Sequence, residues 1–156
     1  MPASKPSARP GLSLKGRALK YLAAREHSRL ELARKLAAHA ESAEQVESLL
    51  NDLERDGWLS AERFAASVAY RKSSRYGAAR IKAELKQHRV PDDVTCSLIG
   101  ELQSTELARA HALWQRRFGA VPADPQERAR QSRFLLQRGF SGDVIQRILK
   151  GWSPEF

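Results

Sequence analysis

Residues 78–103 read AARIKAELKQHRVPDDVTCSLIGELQ, a pattern of helix, short turn and second helix. Ile81 and Leu85 are four residues apart, on one face of an α-helix. Pro91 opens the next element, and Asp92 and Asp93 behind it place acids at the positive end of a helix. Val94, Leu98 and Leu102 then form its apolar stripe. The same arrangement recurs on both sides. Leu36, Leu85 and Leu135 are each followed nine or ten positions later by Val46, Val94 and Val144, and each valine at plus four by Leu50, Leu98 and Ile148. The leucines are forty-nine and fifty residues apart. That period belongs to tandem helical units, each burying a face against the next.

Punctuation divides the rest of the chain. Ser28 in Ser-Arg-Leu-Glu and Ser42 in Ser-Ala-Glu-Gln match the capping box, where the Ser oxygen accepts from a free backbone N–H. Asp124-Pro125 is an N-cap followed by proline at the first helical position. Ser60, Thr105 and Ser141 are further caps, and Gly57, Gly119, Gly139 and Gly151 each follow a helical stretch. These marks predict nine helices, over 16–26, 29–40, 43–56, 61–74, 78–89, 92–103, 106–118, 125–138 and 142–150. The expected fold is all-α, with three tandem three-helix repeats over 14–60, 61–104 and 105–151. Residues 1–13 are expected to be a disordered basic arm, because they hold three prolines and small residues, and 152–156 a tail.

Composition agrees. Hydrophobic residues make up 42% of the 156, enough for a core, while aromatics are only 7% and helix formers dominate. The net charge of +9 points to a polyanionic partner, because the fields of many Lys and Arg add over a surface. The excess is uneven. Unit one balances eight bases against eight acids, unit two has eight against five, and unit three with the tail nine against five.

Within unit two the bases cluster: Arg71, Lys72, Arg75, Arg80, Lys82, Lys86 and Arg89, with Tyr70 and Tyr76 interleaved and only Glu84 opposing. In unit three Arg116 and Arg117 close one helix, while Arg128, Arg130 and Arg133 lie on the next. Bases beside aromatics suit a phosphate backbone with optional base stacking. A solvated helical face with snorkelling side chains is the bland alternative.

Chemistry of other kinds finds little support. No Gly-rich loop precedes a Lys-Ser or Lys-Thr pair, so nucleotide hydrolysis is not expected. His27, His39, His88 and His111 are scattered without metal-ligand spacing and are expected to be surface or cap residues. Cys96, the single cysteine, lies among Val94, Leu98 and Ile99 and is expected to be a small buried hydrophobe. No catalytic residue, metal or cofactor is expected. No apolar run approaches the roughly 20 residues of a membrane span. The N-terminus lacks a secretory signal's apolar core, and a reducing, cytoplasmic setting is expected.

The stretch LERDGWLSAERFAASVAYRKSSRYGAARIKAELKQHRVPDDV, residues 53–94, carries a family likeness. Asp-Gly-Trp-Leu leads into Glu-Arg-Phe-Ala, then Arg-Tyr-Gly, Arg-Ile, Glu-Leu and a basic residue before Val-Pro. This resembles the RecX family, bacterial regulators of the RecA recombinase. The opening LKYLAAREHSRLELARKL, residues 19–36, is also similar, although Ser60 and Ala61 stand where the family often carries an acid before Arg-Phe-Ala. Gly57 and Gly77 fit positions where the backbone must turn, and Phe64 and Ile81 are expected to pack. Arg63, Tyr76 and Arg80 are candidates for surface chemistry, with Arg63 equally able to pair with an acid such as Asp56.

The resemblance implies an elongated, curved array of three helix-turn-helix-like repeats. It also implies binding to the RecA filament and to DNA, single-stranded or duplex. Strand exchange, ATP turnover and co-protease activity would be suppressed, in the setting of DNA repair and the SOS response. A monomer is expected. The alternative is a helix-turn-helix DNA-binding regulator. Acids at Glu44, Asp92, Asp93 and Asp143 near the starts of the third helices oppose entry into a phosphate-lined groove. A pure protein-interaction repeat is a third reading. Salt sensitivity separates phosphate contacts from an apolar interface.

Overall fold

Local capping sets the helix starts. The side-chain oxygens of Ser13, Ser28, Ser42, Ser60, Asp124 and Ser141 each accept from the backbone N–H three residues on, at 2.7–3.2 Å. The structure, a computed structural model, describes residues 11–155. Most of the expected arm lies outside these residues, and Ser13 at its end caps the first helix.

Among the described residues there are eight helices and no strand. They are α1 (Leu14–Ala24), α2 (Arg29–Ala37), α3 (Ala43–Arg55), α4 (Ala61–Lys72), α5 (Ala78–Gln87), α6 (Asp92–Arg117), α7 (Pro125–Gln137) and α8 (Gly142–Leu149). The expected ninth helix does not exist separately, because 92–103 and 106–118 merge into α6. Thr105 is not a cap. Its hydroxyl donates back to Leu102 O at 3.2 Å, and Ser104 donates to Glu101 O at 2.6 Å, so both side chains bond within a helix that continues.

The chain divides into two compact units, up to Phe64 and from Ala65. In the first, Ala18, Leu32, Leu36, Val46, Leu50, Leu53 and Leu59 are buried together. In the second, α6 packs on α5, α7 and α8, and Trp114, Leu135, Phe140 and Ile148 belong to one cluster. The repeated leucines Leu36, Leu85 and Leu135 are all fully buried, and Phe64 and Ile81 are buried as expected. The repeat is imperfect in α6, where Thr95, Ile99 and Leu102 are buried while Val94 and Leu98 are only half-buried. Cys96 lies one position off that face and is exposed, not buried as expected.

Helix ends follow the glycines. Gly57, Gly119, Gly139 and Gly151 all have positive φ. Arg89 occupies the matching position after α5 with φ 56°, and the next N–H, of Val90, bonds to Leu85 O at 3.1 Å. Phe140 does the same to Leu135 O at 3.3 Å, so the two repeats close alike.

His27 departs from the expected surface role. It is 1% exposed, with Nδ1 3.0 Å from Arg25 O and Nε2 2.8 Å from Lys35 Nζ. The ring therefore donates from Nδ1 and accepts from the ammonium, which is the neutral tautomer. Burial pushes its pKa below the ordinary 6.5, with the Arg25 carbonyl opposing and the Arg25 and Lys35 charges adding. Nearby, the hydrogen bond from Arg25 holds the Glu31 carboxyl down at about 2.

Both shifts destabilise the fold in acid. The unfolded chain takes a proton on His27 below about pH 6.5 that the folded chain resists. The Glu31 contribution is complete above its ordinary 4.5 and is lost as pH falls toward 2. The urea midpoint of unfolding is expected to fall in two stages, one from pH 6.5 and one from 4.5. An unchanged midpoint between pH 7 and 5 would contradict the His27 assignment.

Candidate nucleic-acid interface

The turn joining α4 to α5 carries Arg75 and Tyr76, and α6 clamps it from both ends. Arg109 Nη1 donates to Ser73 O, just past the C-terminus of α4, at 2.6 Å and to Tyr76 O, at the far end of the turn, at 2.9 Å. Its Nη2 donates to Leu102 O at 2.8 Å. Burial pushes this guanidinium below its ordinary value, and the Glu106 charge opposes. The N-cap of α5 is Gly77, which has no side chain to cap with. Glu106, 5% exposed, replaces it by accepting from Ala78 N–H at 2.7 Å. A cation thus sits at one helix C-terminus and an anion at the next N-terminus, both favourable to the helix dipoles. Truncating Glu106 to Ala is expected to cost about 2–3 kcal/mol in denaturant unfolding, because it strands a buried donor. Glu106→Gln should cost less. Equal loss for the two would refute the capping role.

A second brace comes from α7–α8. Gly77 N–H donates to Arg138 O at 2.8 Å. Gly77 itself has φ −80°, so it is not needed for a turn conformation as expected. Its role is close approach: a Cβ there would lie 2.3 Å from Gly139 O.

The two braces bring Tyr76 beside Arg138, and from there a ladder of rings and guanidiniums runs through the unit. Arg80, Arg75 and Arg138 lie 4.3, 5.6 and 5.8 Å from the Tyr76 ring centroid. Arg138 is also 4.8 Å from the Phe134 ring, and Phe134 meets Phe118 edge to face at 5.4 Å. Arg117 lies within 5.8 Å of both Phe118 and Phe134, and Arg130 is 5.6 Å from Phe118. Ring faces attract the guanidiniums, at about 0.5–1 kcal/mol for an exposed pair. Backbone carbonyls hold them further: Arg80 donates to Gln137 O at 3.1 Å and Arg138 to Arg75 O at 3.4 Å. Neither contact neutralises charge. Among the described residues no carboxylate lies within ion-pair distance of Arg75, Arg80, Arg117 or Arg138, whereas Lys72 is taken by Glu84 at 2.8 Å and Arg130 by Glu127 at 3.4 Å. Planar guanidiniums with open N–H groups beside aromatic rings can grip phosphates and stack on bases.

Of the residues expected to bind, Arg75, Tyr76, Arg80, Arg117 and Arg130 are brought together in this run of contacts. Arg71, Lys82, Lys86, Arg89, Arg116, Arg128 and Arg133 are exposed but make none of the ladder's contacts. Arg63, in the first unit, pairs with Glu26 at 2.9 Å and donates to Gly57 O at 2.7 Å; the partner is not Asp56. Arg138, Arg109, Phe118 and Phe134 were not foreseen as site residues. Tyr70 is 89% exposed and free to stack.

Among the described residues no group of side chains could hold a metal, and no helix is long and apolar enough to cross a membrane.

Fold and contacts together define a tandem three-helix array that carries an arginine–aromatic face. Models of the first, second and third three-helix domains of RecX match residues 15–53, 62–95 and 104–149. The chain belongs to the RecX family of regulatory proteins. It is 57% identical over 143 residues to the regulatory protein RecX of Ralstonia nicotianae, covering 92% of this chain and 90% of that one. It is 56% identical over 144 residues to that of Leptothrix cholodnii, covering 92% of each. The crystal structure of RecX from Lactobacillus salivarius superposes with a TM-score of 0.75, covering 88% of this chain and 92% of that one; at 20% identity this likeness concerns the fold.

Proposed function

We propose that this chain is a cytoplasmic negative regulator of RecA. It binds the RecA–single-stranded DNA filament, in its groove or at its end, and suppresses strand exchange, ATP turnover and co-protease activity. It acts as a monomer and by binding, with no catalytic step. The repeats at 14–60, 61–104 and 105–151 are its functional modules: the basic faces of the second and third meet DNA or the filament's acidic surface, and the first contacts protein. Contact across successive protomers blocks subunit addition or the conformational cycle that accompanies turnover.

The observation that carries this reading is the run of uncompensated guanidiniums from Arg80 through Tyr76 and Arg138 to Arg117. Family membership supports it. The variant with Arg71, Lys72, Arg75 and Arg80 all changed to Glu tests it. Its binding to the filament, and the salt dependence of that binding, should collapse relative to the parent chain. Unchanged inhibition by this variant would reject the assignment.

A further inference from the structure

The first repeat, residues 14–60, balances eight bases against eight acids, yet its charge is segregated. Arg29 is drawn to the α3 acids Glu47 and Glu54 at 2.6 and 2.7 Å, and Arg55 to Asp52 and Asp56. Between α1 and α2, reaching Lys35 in the last turn of α2, a cleft of about 360 Å³ is lined by Arg17, Lys20, Tyr21, Arg25, His27 and Lys35. Among the described residues no carboxylate lines it, and only Arg25 has an acid partner, Glu31. Among the described residues Arg17, Lys20 and Lys35 have no ion pair.

Lys35 is the informative member. The residue is half-buried, and its ammonium lies 2.8 Å from Nε2 of the fully buried His27 and 4.8 Å from the Tyr21 ring centroid. A neutral imidazole and a ring face aim this cation into the cleft without cancelling it. A partly desolvated charge held this way gains most from an anion. The remaining wall is apolar, from Leu12 and Ala24, with the Tyr21 ring beside them. The volume lies in the range of roughly 300–1,000 Å³ of small-ligand clefts.

We propose that this cleft is a nucleotide site: it seats a phosphate between Arg17, Lys20 and Lys35 and shelters the attached sugar or base against Tyr21 and Leu12. The nucleotide is either free or one unit of a single strand. The site is separate from the arginine–aromatic ladder and does not depend on it.

The test is a titration of the full chain by two-dimensional NMR at fixed ionic strength, following the amides of Tyr21, Ala24 and His27. The probes are ADP and a twelve-residue oligothymidylate. Saturable shifts at these residues with ADP identify a free nucleotide; saturable shifts with the oligomer alone identify a strand. Either supports the site. Lys35→Gln and Arg17→Gln should each weaken the responding probe at least fivefold, whereas Lys15→Gln, on α1 and outside the cleft, should not. The ladder variant Arg138→Glu should leave the shifts with ADP intact. No saturable shift with either probe, or equal weakening by Lys15→Gln, would overturn the proposal.

Discussion

Gly77→Ala is expected to destabilise the second unit by about 3 kcal/mol or more, at the upper end of what overpacking costs. The new Cβ would fall 2.3 Å from Gly139 O, 2.4 Å from Gly139 C and 2.6 Å from Phe140 N, all backbone atoms that cannot rotate away. Relief requires the α4–α5 turn to withdraw from the α7–α8 turn, breaking the Gly77 N–H to Arg138 O bond. Gly139 is held the same way from the other side, because a Cβ there would meet Arg80 Cβ at 2.6 Å and its own φ is 86°. Urea unfolding followed by circular dichroism measures the loss. A change within about 0.5 kcal/mol, the range of ordinary surface substitutions, would show that the close approach is not real.

Arg138→Glu should produce the largest loss of binding for a single change. Among the described residues Arg138 is the one guanidinium that touches both Tyr76 and Phe134, so its reversal removes the proposed phosphate contact, adds a repulsive charge and splits the ladder in two. A loss of roughly tenfold to hundredfold in affinity for single-stranded DNA or the filament is expected, equivalent to about 1.4–2.8 kcal/mol. Arg138→Lys keeps the charge but loses the planar fork, and should fall between the parent and the reversal. Fluorescence anisotropy at two salt concentrations checks both. Equal affinity for all three chains would remove Arg138 from the interface.

What the sequence disclosed and what it hid divide by range. Ser28, Ser42, Ser60, Asp124 and Ser141 were readable as caps because their bonds span only three residues. The terminating glycines were readable for the same reason. Leu36, Leu85 and Leu135 were readable because repetition marks equivalent core positions. Thr105 misled because a hydroxyl that caps one helix can equally bond back inside another, and only the packing of α6 chooses.

The ladder was half visible. Basic residues near Tyr76 announced themselves by density in the chain. Arg138 did not: it stands between Gln137 and Gly139, and the carbonyl it reaches on Arg75 is 63 residues away. Glu106 and Arg109 were invisible as clamps for a like reason, since the turn they hold is about thirty residues distant. His27 looked like a surface histidine because nothing local signals a carbonyl on one ring nitrogen and an ammonium on the other.

The most direct test of the central claim is ATP turnover by a RecA filament on single-stranded DNA, with this chain titrated from well below one copy per protomer. Suppression at substoichiometric amounts is expected, since each bound copy would affect more than one protomer. Undiminished turnover at a full copy per protomer, with the chain demonstrably folded, would contradict it.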